Sequence, residues 1–492
     1  MTSLLVPTVS GASATPSWPY SNGNLSNTRD AVTSTITSAN VSRLKELWSF
    51  DLKGEATHNV GGYGTLAANA IVQNGVVYMQ DLHSNVYALS LATGHLLWDY
   101  IVNLPEKSGP GPNGVAVANG MVYGESPSVA FALNASNGHK VWADKDLLKK
   151  GQGTFGIQPQ VANGQVFLAS QYGSGKGGGI LIALNSTTGH LTWKFKTMIG
   201  RDPGVTSLGL GAGGAWETPL VSANGTVTFG IGNPYQTVGE AYSQPAKLLY
   251  SDSDVTLSAA TGKLRWYYQG VTNDFKDWDM QASPISATVN GAAVVIGGGK
   301  MGTVYEMNAA TGRLLWKTPV GVHNGHDNDS LDALTHAEKL KLPFTYEPGA
   351  LGGILTNMAY ASNAIYVATC NVPFAFTKDG QVNGAPPSTA TVSGTVVALN
   401  ATTGAIEWST KVDTLPVGAM TISNNLVFTT LVTGKLVAFN RATGAVVFTQ
   451  KLPRTTNSTL AIAGNTIIVP TGGPKYGAAK GKSQIIAYAV PS

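Results

Sequence analysis

The 492-residue chain is predicted to be all-β, an eight-bladed β-propeller of four-stranded antiparallel blades. Two observations predict it: a Gly-x-x-x-aromatic pattern recurs along the chain, and alternating strand-like runs with hairpin signals flank each copy. Ala-Leu-Ser-Leu-Ala-Thr-Gly-His-Leu-Leu-Trp ends at Trp98, and the pattern closes again at Trp142, Trp193, Trp266, Trp316, Trp408 and, with phenylalanine, Phe448. Its glycines are Gly94, Gly138, Gly189, Gly262, Gly312, Gly404 and Gly444. Most of them lie 40 to 51 residues apart, with two longer intervals of 73 and 92, the signature of a propeller with insertions.

Each element follows in order. Upstream of most copies lies a hairpin signal such as Val72-Gln73-Asn74-Gly75-Val76, where Asn-Gly supplies the positive φ of a tight turn. The alternating run before each Thr-Gly or Asn-Gly turn and the aromatic strand after it form a second hairpin, and two hairpins make one blade. An eighth tryptophan strand, around Trp48, lacks its own hairpin, so it is expected to pair with C-terminal strands near 467–489 and close the ring. The repeat tryptophans are read as packing residues, large flat rings lying against the neighbouring blade. Trp18, Trp216 and Trp278 fall outside the pattern. Asp329 to Leu340 reads as a helix within an insertion around 322–350.

Composition narrows the function classes. The net charge of +4 is too small for a nucleic-acid partner or an anionic membrane surface. No stretch approaches the apolar length of a membrane span. With Cys370 alone, the chain has neither an internal disulfide nor a CxxCH haem attachment. Ser3 to Pro7 followed by Ala12-Ser13-Ala14 reads as the tail of a signal peptide or as a disordered tail, giving 1–16 as a leader remnant and 17–492 as a single propeller. Export, periplasmic or extracellular, is the expectation.

The repeat Ala-x-Asn-x-x-Thr-Gly-x-x-x-Trp resembles that of the pyrroloquinoline-quinone-dependent alcohol dehydrogenases, and the resemblance runs from Trp18 to about residue 490. Related repeats also occur in propellers that bind no cofactor, so the segments between repeats decide. Gly230-Ile231-Gly232-Asn233-Pro234 resembles a loop whose asparagine serves the metal beside the quinone. Gly213-Gly214-Ala215-Trp216 resembles the segment carrying the tryptophan under the quinone ring. Asn273-Asp274-Phe275-Lys276-Asp277-Trp278-Asp279 matches a segment that puts the catalytic base at Asp277 and, at Asp279, a carboxylate favouring a lanthanide over calcium. Lys300 falls where the family places a cation against the quinone oxygens.

The resemblance therefore implies oxidation of an alcohol with pyrroloquinoline quinone and a calcium or lanthanide ion, and electron transfer to a separate cytochrome or quinone. Two departures oppose it. The stretch 107–114 has no cysteine pair to cover the quinone, and 171–176 has no carboxylate for the metal. The alternative is a non-catalytic propeller that binds a protein or polymer. Each residue also has a plain structural reading: Asp277 and Asp279 as turn carboxylates, Asn233 as a turn residue, Lys300 as a solvated lysine, Trp216 as packing. His323-Asn324-Gly325-His326-Asp327-Asn328-Asp329 offers transition-metal donors or a polar loop, and Cys370 reads as a buried small residue.

Overall fold

The computed structural model describes residues 15–60, 63–104, 113–149, 151–171, 178–199, 212–380, 384–387, 391–473 and 481–491. They form eight four-stranded antiparallel sheets and one two-stranded ribbon, Phe344–Tyr346 with Phe374–Phe376. The first strands of successive blades touch one another around a full circle, from Ile71–Gln73 in blade 1 to Ala461–Ala463 in blade 8 and back. The fold is thus a closed eight-bladed β-propeller. The last blade is closed by the other end of the chain, as expected: Lys45–Asp51 pairs with Gln484–Ala489, setting Trp48 opposite Ala487.

The repeat works as a latch between blades. The indole N–H of Trp48 donates to Leu91 O at 2.8 Å, and Trp98, Trp142, Trp193, Trp266, Trp316 and Trp408 each donate to the matching carbonyl of the next blade at 2.8–3.0 Å. Three residues beyond that carbonyl stands the repeat glycine. All seven glycines have φ near +70°, and a Cβ on any of them would lie within 2.6 Å of the docked ring. Glycine is required twice over, for the turn and for the tryptophan. Phe448, with no N–H to donate, faces the blade whose outer strands come from the two ends of the chain.

Residues 17–36 run inside the ring. Trp18 exchanges backbone hydrogen bonds with Val72, and Ser26, Thr28 and Arg29 carbonyls accept from Ser286, Tyr360 and Ile422. Thr35 N–H donates to Gly464 O in blade 8. The segment therefore stitches the first strands of blades 1, 5, 6, 7 and 8 from within.

The helical insertion is shorter than expected. Helix α2 spans Asp329–Thr335 and ends because His336 takes a left-handed conformation at φ 55°. Residues 336–340 are not helical, and the ribbon strand Phe344–Tyr346 occupies part of the insertion. A second short helix, α1 (Val238–Ser243), was not anticipated; its Thr237 and Glu240 form a reciprocal N-terminal capping box. No helix among the described residues is long and apolar enough to cross a membrane. Residues 1–14 lie outside the described residues, as do most of 107–114 and all of 172–176.

Candidate active site

Two kinds of connection share one face of a propeller: those joining second to third strands, and those joining one blade to the next. Asn233 and Lys300 follow the second strands Thr226–Gly230 and Ala292–Gly299 of blades 4 and 5. Trp216, Asp277 and Asp279 precede the first strands Leu220–Ser222 and Ile285–Val289 of the same blades. Helices α1 and α2 and the ribbon lie in connections of these same kinds. Topology alone thus gathers the five sequence-derived residues at one end of the ring.

Their side chains converge. The Lys300 ammonium lies 3.0 Å from Asp277 Oδ2 and 2.6 Å from Asp279 Oδ2. Asn233 Nδ2 donates to Asp277 Oδ1 and, at 2.7 Å, to Asp279 Oδ1, which also accepts the Asn233 backbone N–H at 2.7 Å. All four residues are buried. Lys300 is therefore no solvated surface lysine. Asn233 shows its nitrogen to the carboxylates while its Oδ1 accepts Tyr235 N–H at 2.7 Å; turning the amide over brings the oxygen to them instead.

The backbone beneath is interlocked. Gly232 N–H donates to Gly214 O at 2.6 Å, and Gly213 N–H to Asn233 O at 3.0 Å. A Cβ at Gly232 would lie 2.6 Å from Asp279 Oδ1 and 3.0 Å from Trp216 Nε1, so glycine lets the carboxylate and the half-buried indole share one spot. Lys300 N–H donates to Asp279 O at 3.0 Å, tying together the two connections that carry these side chains.

The turn-capping role belongs to another carboxylate. Asp274 Oδ1 accepts Lys276 N–H at 3.0 Å and Oδ2 accepts Trp278 N–H at 2.9 Å. That closes the loop and leaves Asp277, at φ 63°, projecting toward Lys300. Trp278 is packing: it is buried, donates to Pro348 O at 3.0 Å and carries the Lys276 ammonium 4.4 Å from its ring. That ammonium also pairs with Asp329 Oδ2 at 2.7 Å, fastening α2 to the loop. Burial drives the Asp277 carboxyl well above its ordinary range; Lys300 pulls it down, and Asp279 and Asp274 push it up. For Lys300 burial favours the neutral amine, but the two carboxylates prevail and raise its pKa.

Sequence reading missed Asp252. It is fully buried, burial raises its pKa well above the ordinary range, and Asp274, Asp279 and Asp277 raise it further, against a hydrogen bond from the Ser251 hydroxyl. Two aspartates one residue apart, Asp252 just before the strand Ser253–Ser258 and Asp254 within it, were the available signal. The histidines of the 92-residue interval do not converge. His323 Nδ1 faces Asp327 at 2.8 Å and His326 Nδ1 faces Asp329 at 3.0 Å, the pattern of a polar loop. Burial pushes the Cys370 thiol up to about 12, and a thiol so held is unreactive.

Among the described residues no three His, Cys, Asp or Glu side chains meet as a metal site. The donors at the Lys300 cluster nonetheless fit a hard cation: two carboxylates and one amide, with two negative charges against one ammonium. The half-buried Trp216 stands beside them, its Nε1 3.0 Å from where a Cβ on Gly232 would lie, and offers a flat ring against which an aromatic cofactor could rest.

The sequence profile for "Glucose/ethanol/alcohol dehydrogenase, beta-propeller domain" matches residues 18–321, and that for "Outer membrane protein assembly factor BamB" matches residues 352–489. The dehydrogenase subunit of the quinone alcohol dehydrogenase of Gluconobacter oxydans is 28% identical over 412 residues, covering 71% of this chain and 52% of that protein. The chain spans about half the length of the curated relatives it matches. Quinohemoprotein alcohol dehydrogenase from Comamonas testosteroni superposes with a TM-score of 0.80 at 21% identity, over 98% of this chain and 81% of that one. A europium-containing methanol dehydrogenase superposes at 0.78 and 20% identity, over 96% and 98%. At those identities the superpositions speak for the fold. With its profile matched over more than half of the residues, the chain belongs to the glucose/ethanol/alcohol dehydrogenase β-propeller family.

Proposed function

We propose that the chain is a quinoprotein dehydrogenase that oxidises an alcohol with pyrroloquinoline quinone and passes the electrons to a separate cytochrome or quinone. The observation that supports it best is the buried cluster of Asp277, Asp279, Asn233 and Lys300 beside Trp216. Asn233, Asp277 and Asp279 would hold calcium or a lanthanide, and Asp279 as a second carboxylate favours the lanthanide. When bound, the quinone polarised by the cation would supply an electrophilic carbonyl as the hydride acceptor.

The residues of the chain do the rest. Asp277 receives the hydroxyl proton on its carboxylate, which burial and its acidic neighbours make more basic than an exposed aspartate. Lys300 opposes negative charge arising on the cofactor oxygens. Trp216 supports the flat ring and fixes its height relative to Asp277. The 492 residues hold one cysteine and so no CxxCH haem attachment, and in this reading the electrons leave to an acceptor outside them. We place the reaction outside the cytoplasm, on the reading of Ser3 to Ala14 as the remnant of a leader.

The test is titration of the purified protein with pyrroloquinoline quinone in the presence of calcium, of lanthanum or of neither, followed by tryptophan fluorescence. Saturable, metal-dependent quenching that Asp277→Ala weakens supports the reading. Absence of quenching at tens of micromolar quinone with every metal overturns it in favour of a scaffold, the role suggested by the assembly-factor profile over residues 352–489.

A further inference from the structure

A cavity of about 240 Å³ lies behind the catalytic cluster, between blades 4 and 5 and the start of α2. None of Asp277, Asp279, Asn233, Lys300 or Trp216 lines it. Its apolar wall is Val271, Trp278, Met301 and Tyr305. Its polar groups include Ser330, Asp327 and Lys317.

Three features say what it takes. Ser330 is 1% exposed, lines the cavity and has a hydroxyl with no hydrogen-bond partner, an arrangement costing free energy until something fills it. Asp327 is already engaged by His323, whose Nδ1 lies 2.8 Å from its carboxylate. The other ring nitrogen, Nε2, faces the carbonyls of Gly302 and Val320 at 3.1 and 3.2 Å. Both ring nitrogens therefore meet acceptors only, which, against burial, favours the protonated ring and raises the His323 pKa beside Asp327. Lys317, exposed on the outer strand Leu314–Pro319, has no ion pair among the described residues. The unsatisfied charge is positive, the unsatisfied hydrogen-bonding group is a hydroxyl, and one side of the cavity, Val271, Trp278, Met301 and Tyr305, is apolar.

We propose that this cavity is a second small-molecule site, for a carboxylate with a compact apolar or aromatic body. Dry cavities of ~150 Å³ admit benzene, so this volume suits roughly ten non-hydrogen atoms. The body packs against Trp278 and Met301, and the carboxylate accepts hydrogen bonds from Lys317 and Ser330. Trp278 and Met301 adjoin Asp277 and Lys300 in the chain, so an occupant bears directly on the segments that set the spacing of that pair. The binding claim does not depend on the quinone chemistry.

The experiment is ligand-observed NMR on the full chain without quinone, using benzoate as probe and benzyl alcohol and benzylamine as neutral and cationic matches. Benzoate binds best and benzylamine not at all. Lys317→Ala, on an exposed strand, weakens benzoate about fivefold, in keeping with a solvent-screened pair. Thr272→Phe, which fills the cavity from a half-buried wall position, removes binding while the melting curve stays that of the folded protein. Benzylamine binding as well as benzoate overturns the proposal, as does benzoate affinity that Lys317→Ala leaves unchanged. So does benzoate binding that persists in a folded Thr272→Phe. Should that variant fail to fold, the Lys317→Ala comparison still decides.

Discussion

Two buried cations, Arg29 and Lys300, are held in opposite ways. Arg29 lies at full burial inside the ring, and neutral acceptors take all five of its N–H groups. Nε donates to Met420 O at 2.7 Å, Nη1 to Asn22 and Asn69 at 2.8 and 2.7 Å, and Nη2 to Thr421 and Leu460 at 2.8 and 2.7 Å. Trp18 closes over it, 5.3 Å from its ring centre. Burial lowers its pKa to about 9, against the pull of Glu217, so the guanidinium is still protonated at neutral pH. Lys300 instead faces two carboxylates, a cluster with surplus negative charge and one more buried carboxylate, Asp252, close by. The first cation is saturated by the fold and has nothing left to offer a ligand. The second sits among acidic groups that, on the proposed function, hold a further cation, and this difference separates scaffold from proposed site.

The largest expected effect breaks the site and spares the scaffold. Asp277→Asn should lower dye-linked alcohol oxidation by the reconstituted protein about 10²–10⁴-fold, the usual worth of a general base. The urea midpoint should hold or rise, because a buried carboxylate has been replaced by a neutral amide. Activity within tenfold of the parent would remove Asp277 from the chemistry.

Arg29→Met does the reverse. It leaves five acceptors from the inner segment and blades 1, 7 and 8 without their donor, and stability should fall by about 3–5 kcal/mol. Denaturant unfolding measures it, and quinone quenching in the fraction that stays folded should be unchanged. A loss under about 1 kcal/mol would mean that the saturated network is redundant.

A third buried ionisable group has no partner among the described residues. Asp254 is fully buried with both oxygens unbonded, and burial alone pushes its pKa to about 8. Gly297 makes room for it, since a Cβ there would overlap the carboxylate. The folded pKa lies above the unfolded one, so this contribution to stability is complete below about pH 4 and is lost as pH rises toward 8. Asp254→Asn should flatten the decline of stability between pH 4 and 8 by a few kcal/mol. Asp252, raised likewise, leaves a residual slope. An unchanged pH profile would show that Asp254 is charged and compensated.

How legible this was in the sequence depended on range. The Gly-x-x-x-Trp copies are local and periodic, so the blades, and the closing strand around Trp48, could be read directly. The proposed site residues were picked out only through resemblance, and their convergence needed the ring: Asn233 and Asp279 are 46 residues apart in sequence yet hydrogen-bonded. Arg29 was opaque. Its acceptors include Met420, Thr421 and Leu460, some 390 to 430 residues away, and two of the five are backbone carbonyls from blades 7 and 8 that carry no residue signature. Helix α2 was overread because the apolar spacing continues to Leu340, whereas His336 ends the helix in a left-handed turn.

The smallest effect tests how much of the scaffold's saturation lies in the latch itself. Gly75 and Gly444 share a backbone conformation, φ 75° and 71°, and differ in surroundings. A Cβ at Gly75 meets nothing within 4 Å, whereas at Gly444 it would run into the Trp408 ring. Alanine at either site pays the left-handed penalty of about 1 kcal/mol. Only Gly444→Ala must also displace an indole whose N–H is bonded to Arg441 O at 2.8 Å, adding about 1–2 kcal/mol. The difference between the two variants in urea therefore isolates the docking contact from the turn. Equal losses would mean that the glycine serves the hairpin alone and that the tryptophan gives way without cost.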